Sequence, residues 1–129
     1  MTGATNAASL AVGHRDVLAA AVRAIDGTER AGQVEMADAI AASLESDHHL
    51  LVQAGTGTGK SLGYLAPALL WLVRNPSERI VIATATLALQ SQLANNDIPA
   101  ALDAVESVTG QRPRHAIAGY TASKTVVAH

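Results

Sequence analysis

The sequence predicts an α/β fold in which a short parallel sheet is flanked by helices. Three observations predict it. Short apolar runs at His49–Gln53 and Arg79–Thr84 alternate with segments of helical periodicity, the order that generates strand–helix–strand units. The second run, Arg-Ile-Val-Ile-Ala-Thr, is dense in β-branched residues, which suit a pleated surface. Between the runs lies Ala54-Gly55-Thr56-Gly57-Thr58-Gly59-Lys60-Ser61, a glycine-rich turn placed to carry a strand into a helix. A crossover between parallel strands puts helices on the sheet faces, which such a sheet needs covered.

The elements follow in chain order. Residues 1–13 are small and polar and are expected to fray. Leu18, Val22 and Ile25 fall at i, i+4 and i+7, so a short helix is expected over Asp16–Ile25, stopped by Asp26-Gly27-Thr28. Met36, Ile40 and Leu44 give Gln33–Leu44 one apolar face. A Leu- and Ala-rich helix is expected over Lys60–Arg74. Pro67 is a fault in it, because proline removes one backbone bond and crowds the carbonyl of Gly63. Asn75-Pro76-Ser77 ends that helix. A further helix is expected over Thr86–Ala94, closed by Asn95-Asn96. Pro99 suits the first turn of another, running to about Val105. Thr109-Gly110 turns, and His115-Ala116-Ile117 begins a third strand candidate.

Composition sets bounds. The 129 residues suffice for one small domain, and 49% of them are hydrophobic. Much of that is alanine, so the expected core is thin. The net charge of −2 gives no general support to tight nucleic-acid binding. There are no cysteines, which excludes disulfides, thiolate catalysis and an iron–sulfur cluster on this chain. No signal peptide or membrane-length apolar run is found, so no membrane association is expected and a cytoplasmic location is.

The segment from Ala54 to Ser61 satisfies the phosphate-loop pattern, with alanine where the first glycine is more usual. Gly55, Gly57 and Gly59 let successive backbone N–H groups turn inward, and Thr56 and Thr58 lie between them. The following helix start favours an anion. The Lys60 ammonium can reach the β- and γ-phosphates and offset charge in the transition state, and the Ser61 hydroxyl can ligate Mg²⁺. The plain alternative is a flexible turn. Upstream, Arg30 and Gln33 lie one helical turn apart, and a glutamine carboxamide can pair with N6 and N7 of adenine. By itself that pair better suits a solvated helix start. Downstream, Thr84, Thr86 and Gln90 follow an apolar run. Hydroxyls there either bind phosphodiester oxygens or cap the next helix.

Taken together, Arg30-x-x-Gln33-x-x-Met36, Val52-Gln53-Ala54-Gly55-Thr56-Gly57-Thr58-Gly59-Lys60-Ser61 and Ala83-Thr84-Ala85-Thr86-x-x-Leu89-Gln90-x-Gln92-Leu93 resemble the opening motifs of DinG-type helicases, bacterial relatives of XPD in superfamily 2. The resemblance spans roughly residues 28 to 117. It implies a partial RecA-like phosphate-loop domain over 29–129, preceded by a segment over 1–28 with one short helix. It implies ATP and Mg²⁺ as cofactors, Arg30 and Gln33 at adenine, Gly55 to Ser61 at the phosphates, and Thr84, Thr86 and Gln90 along single-stranded DNA. Family members unwind DNA with 5′-to-3′ polarity.

The pattern is lost after residue 117. In place of the family's Lys-Gly-Arg and Asn-Tyr-x-Cys segment stands Ala118-Gly119-Tyr120-Thr121-Ala122-Ser123-Lys124-Thr125. No apolar strand ends in Asp-Glu, and Asp97, Asp103 and Glu106 lie in or beside a helical stretch. The expectation is therefore a truncated ATP-binding portion that binds ATP without unwinding DNA alone. Two rivals are a small stand-alone phosphate-loop or kinase-like protein and a non-catalytic interaction remnant. Adjacent His48 and His49 point to opposite faces of an extended chain and make a poor metal pair.

Overall fold

Helix α1, His14–Ala24, forms where the apolar spacing places it. The Gly13 N–H donates to Asp16 Oδ2 at 2.9 Å, and the Asp16 carboxylate also sits favourably at the positive end of the helix. Val17, Leu18, Ala21 and Val22 make its buried face. It stops at the expected punctuation, with Gly27 N–H donating to the Val22 carbonyl at 2.9 Å and Asp26 N–H to Arg23 at 3.1 Å. The left-handed residue in that stop is Asp26, at φ 53°, rather than the glycine beside it. The computed structural model describes residues 13–54, 59–114, 117–120 and 125–128, the last two stretches as backbone.

Helix α2, Ala31–Ser46, buries Gln33, Met36 and Ala37 and ends at left-handed Asp47. Helix α3, Lys60–Arg74, has the predicted bounds and is the best buried element, with Leu62, Leu65, Ala66, Leu69 and Leu70 inside. It runs through Pro67 as one helix, and the fault expected there does not divide it. The proline ring faces Gly63, four residues back, which presents no Cβ to crowd it. Leu18, Leu65, Leu102, Val17 and Val105 are the largest fully enclosed side chains, so the core is the meeting of α1, α3 and the last helix. Each such leucine stabilises the fold by about 1.5–3 kcal/mol. Ala21, Ala37, Ala66 and Ala101 fill the remaining core and let the helices approach closely. His14 and Arg15 both bond Asp38, at 2.6 Å and 3.0 Å, and tie the start of α1 to α2.

The C-terminal helices differ from expectation. Asn95-Asn96 do not close a helix. Helix α4, Leu87–Gln92, widens into a π turn, Leu93–Asp97, and passes directly into α5, Ile98–Thr109. Pro99 stands in the first turn of α5, where its missing N–H is tolerated, and the widened turn before it takes up the lost bond. Helix α5 ends at Gly110 with φ 77°. Arg112 then folds back to Asp103 at 2.8 Å.

The parallel sheet flanked by helices is corrected by the structure. Among the described residues the only sheet is an antiparallel pair, β1 (Ile117–Tyr120) with β2 (Thr125–Ala128), in the register Ile117 to Ala128 and Tyr120 to Thr125. The third strand candidate thus begins at Ile117, with His115 and Ala116 outside the described residues. Neither His49–Gln53 nor Arg79–Thr84 joins a ladder. Both are apolar yet exposed: Leu51 is 98% and Val81 88% accessible. Their composition suits a strand, but a strand exists only through a lateral partner, and these two do not pair.

Candidate functional site

The site is built where α2 meets the start of α3. Gly59 precedes α3 in the left-handed conformation, φ 69° and ψ 41°, a state open to glycine at little cost. Lys60 and Ser61 are the first two residues of the helix, whose first-turn amides have no intrahelical acceptor. Lys60 is exposed and Ser61 half-buried. Gly55, Thr56, Gly57 and Thr58 lie outside the described residues.

Gln33 reaches this turn from α2. Its Nε2 donates to the Gly59 carbonyl at 3.0 Å, the same carbonyl that accepts the Gly63 N–H at 3.2 Å. The Gln33 side chain is enclosed, and among the described residues its Oε1 has no hydrogen-bond partner. A Cβ on Gly63 would stand 3.2 Å from Met36 Sδ and 3.3 Å from the Gln33 carbonyl oxygen, so glycine here lets the two helices touch. Arg30 caps α2 and is exposed, its carbonyl accepting the Val34 N–H at 3.1 Å. The structure thus joins Gln33 to Gly59 and leaves Arg30 in solvent.

Burial raises the Tyr64 phenol above its ordinary value, the neighbouring Ser61 hydroxyl opposes this, and the nearby Asp97 carboxylate raises it further. Asp97 is 7% exposed in the π turn and accepts from Gln92 Nε2 at 3.2 Å. Sequence reasoning placed this acid beside a helix and missed its burial. The available signal was its place between apolar positions Leu93 and Ala101.

Thr84, Thr86 and Gln90 lie on a different face. Thr86 caps α4, its hydroxyl accepting the Leu89 N–H at 3.2 Å, and Thr84 Oγ1 donates to the Thr86 carbonyl at 3.4 Å. The capping role is therefore present. Thr84 and Gln90 line a cavity of about 590 Å³ between the extended segment 79–84, α3 and the π turn. Gln33, Gly59, Lys60 and Ser61 are not part of that lining among the described residues.

A helix start with an exposed ammonium, open amides and a hydroxyl oxygen is chemically suited to a polyphosphate and its hard divalent cation. The model of DEAD/DEAH box helicases matches residues 32–127. The chain belongs to the DEAD/DEAH box helicase family. Among curated relatives, ATP-dependent helicase DinG of Mycobacterium tuberculosis is 47% identical over 102 residues, 79% of this chain and 15% of that protein. ATP-dependent DNA helicase YoaA of Haemophilus influenzae is 44% identical over 71 residues, 55% of this chain and 10% of its own length. ATP-dependent DNA helicase DinG of Photobacterium profundum is 44% identical over 66 residues, 50% and 9% of the two chains. This helicase-family chain thus spans about 15% of the length of the mycobacterial relative. No solved structure matches it.

Proposed function

We propose that these residues bind the triphosphate of ATP with Mg²⁺, as the nucleotide-binding part of a DinG-like ATP-dependent DNA helicase of 5′-to-3′ polarity. The observation that carries the proposal is the start of α3: left-handed Gly59, then Lys60 and Ser61 at an open helix N-terminus. Family membership and the likeness to the DinG and YoaA helicases support the same assignment.

In this reading Lys60 neutralises the β- and γ-phosphates, and the first-turn amides, with Gly55, Thr56, Gly57 and Thr58, hold their oxygens. Ser61 would give its hydroxyl oxygen to Mg²⁺. Bound Mg²⁺ would offset phosphate charge. Arg30 and Gln33 would face the adenine, the Gln33 carboxamide offering an acceptor suited to an exocyclic amine. Thr84, Thr86 and Gln90 would lie along single-stranded DNA. The sequence has no Asp-Glu pair after an apolar run, so binding rather than turnover is the activity expected of these 129 residues. No described helix is long and apolar enough to cross a membrane, and a cytoplasmic location is part of the proposal.

Calorimetric titration of ATP with Mg²⁺ tests it. Micromolar binding that Lys60→Ala weakens at least tenfold is the expected result. Equal binding by both proteins would overturn the assignment of Lys60.

A further inference from the structure

The proposed nucleotide site uses Gln33 only as a reader of the base. Its contacts point elsewhere. The side chain is 4% exposed and spans from α2 to the carbonyl immediately before α3. That carbonyl, Gly59, accepts from Gln33 Nε2 at 3.0 Å and from Gly63 N–H at 3.2 Å, so both its lone pairs are in use. A Cβ at residue 59 would stand 2.3 Å from Gln33 Nε2, so the carboxamide and a side chain at 59 exclude one another. At Gly63 the two helices approach closely, since a Cβ there would stand 3.3 Å from the Gln33 carbonyl oxygen and 3.5 Å from its Cγ. The carboxamide is held by its Nε2 end.

We propose that Gln33 is a positioning residue for the phosphate-binding turn: its amide fixes Gly59 in the left-handed conformation and so sets the direction of Lys60 and the first amides of α3. The inference rests on the nucleotide site proposed above and differs from it in one respect. A residue that only reads adenine matters to ligands with a base. A residue that sets the turn matters equally to a ligand without one.

Inorganic tripolyphosphate with Mg²⁺ is that ligand. It and ATP are titrated into the wild type, Gln33→Met and Gln33→Glu. Methionine keeps the length and removes the donor. It should weaken both ligands by the same factor, about tenfold for one lost hydrogen bond. Glutamate should be weaker still at pH 8, where a carboxylate faces the Gly59 carbonyl. Its affinity relative to wild type should recover toward pH 5, as the neutral carboxyl regains an O–H donor; burial favours that neutral form. Loss of ATP affinity with tripolyphosphate unchanged would overturn the proposal and leave Gln33 as a base reader. Equal, pH-independent losses in both variants would overturn it in favour of simple packing. If Gln33→Met fails to fold, the pH ratio of Gln33→Glu decides alone.

Binding of neither ligand by the wild type would defeat the nucleotide site itself. The positioning role is then judged on the ligand-free protein by NMR. The Gly59 carbon shifts, marking positive φ, should move in Gln33→Met. Those of Gly110, also at positive φ but with open space where a Cβ would stand, should not. Unmoved Gly59 shifts would overturn the role.

Discussion

The junction of α2 with α3 and the stretch from Arg79 to Gln92 are both candidates for function, and they are held in opposite ways. At the junction, Met36, Leu62 and Gly63 are buried, Gln33 is bonded across it, and the backbone is pinned on both sides of the contact. From Arg79 to Gln92 the chain is extended and then only briefly helical, with Val81, Ile82, Leu87 and Leu89 exposed. Apolar content is similar in the two regions. What separates them is whether that content meets a partner within the chain, and burial rather than hydrophobicity supplies the stability.

Substitutions sharpen the contrast, beginning with the largest effect. Leu65→Ala, in the fully enclosed face of α3, should lower stability by about 2–5 kcal/mol, measured from the urea midpoint. Thr86→Ala removes the hydroxyl that accepts the Leu89 N–H, and should cost about 1 kcal/mol. That loss should be confined to α4, as faster amide exchange at Leu89 with little change at Leu65. A smaller effect is expected from acid. Hydrogen bonds from Arg15 and then His14 hold the Asp38 carboxyl well below the usual carboxylate range. Its stabilisation is therefore complete above about pH 4 and is lost as the pH falls below that value. The thermal midpoint difference between wild type and Asp38→Asn should shrink between pH 6 and pH 3; the pair is partly exposed, which keeps the difference small. Smallest of all, Val81→Ser should leave the urea midpoint within about 0.5 kcal/mol of wild type, since the side chain is already in solvent. A large loss there would show that segment 79–84 is held by more than its visible contacts.

The same contrast explains what the sequence made legible. Lys60–Arg74 was predicted to the residue because its signals are local: glycine before it, Asn-Pro after it, and a continuous apolar stripe between. The stop at Asp26-Gly27 was legible for the same reason, although which residue turns left-handed was not. The strands were not legible, because β-branched composition describes a preference and a ladder needs a neighbour that no local pattern specifies. Asn95-Asn96 resembled a stop, yet neither takes a positive φ, and both are carried by the π turn. At the site, the glycine-lysine-serine series announced phosphate chemistry from spacing alone. The bond from Gln33 to Gly59 was hidden, since it closes a gap of 26 residues.

The π turn also fixes a matter of phase. Each added residue advances a helix by about 100° about its axis, so the extra residue between Gln92 and Ile98 offsets the apolar stripe of α4 from that of α5. Leu87 and Leu89 are exposed, while Ala101, Leu102 and Val105 lie in the core. The orientation of this face is thus written in chain length rather than in side chains. Deleting Asn95 or Asn96 would re-aim it as a screw is re-aimed by a fraction of a turn, which no single substitution along α4 can do.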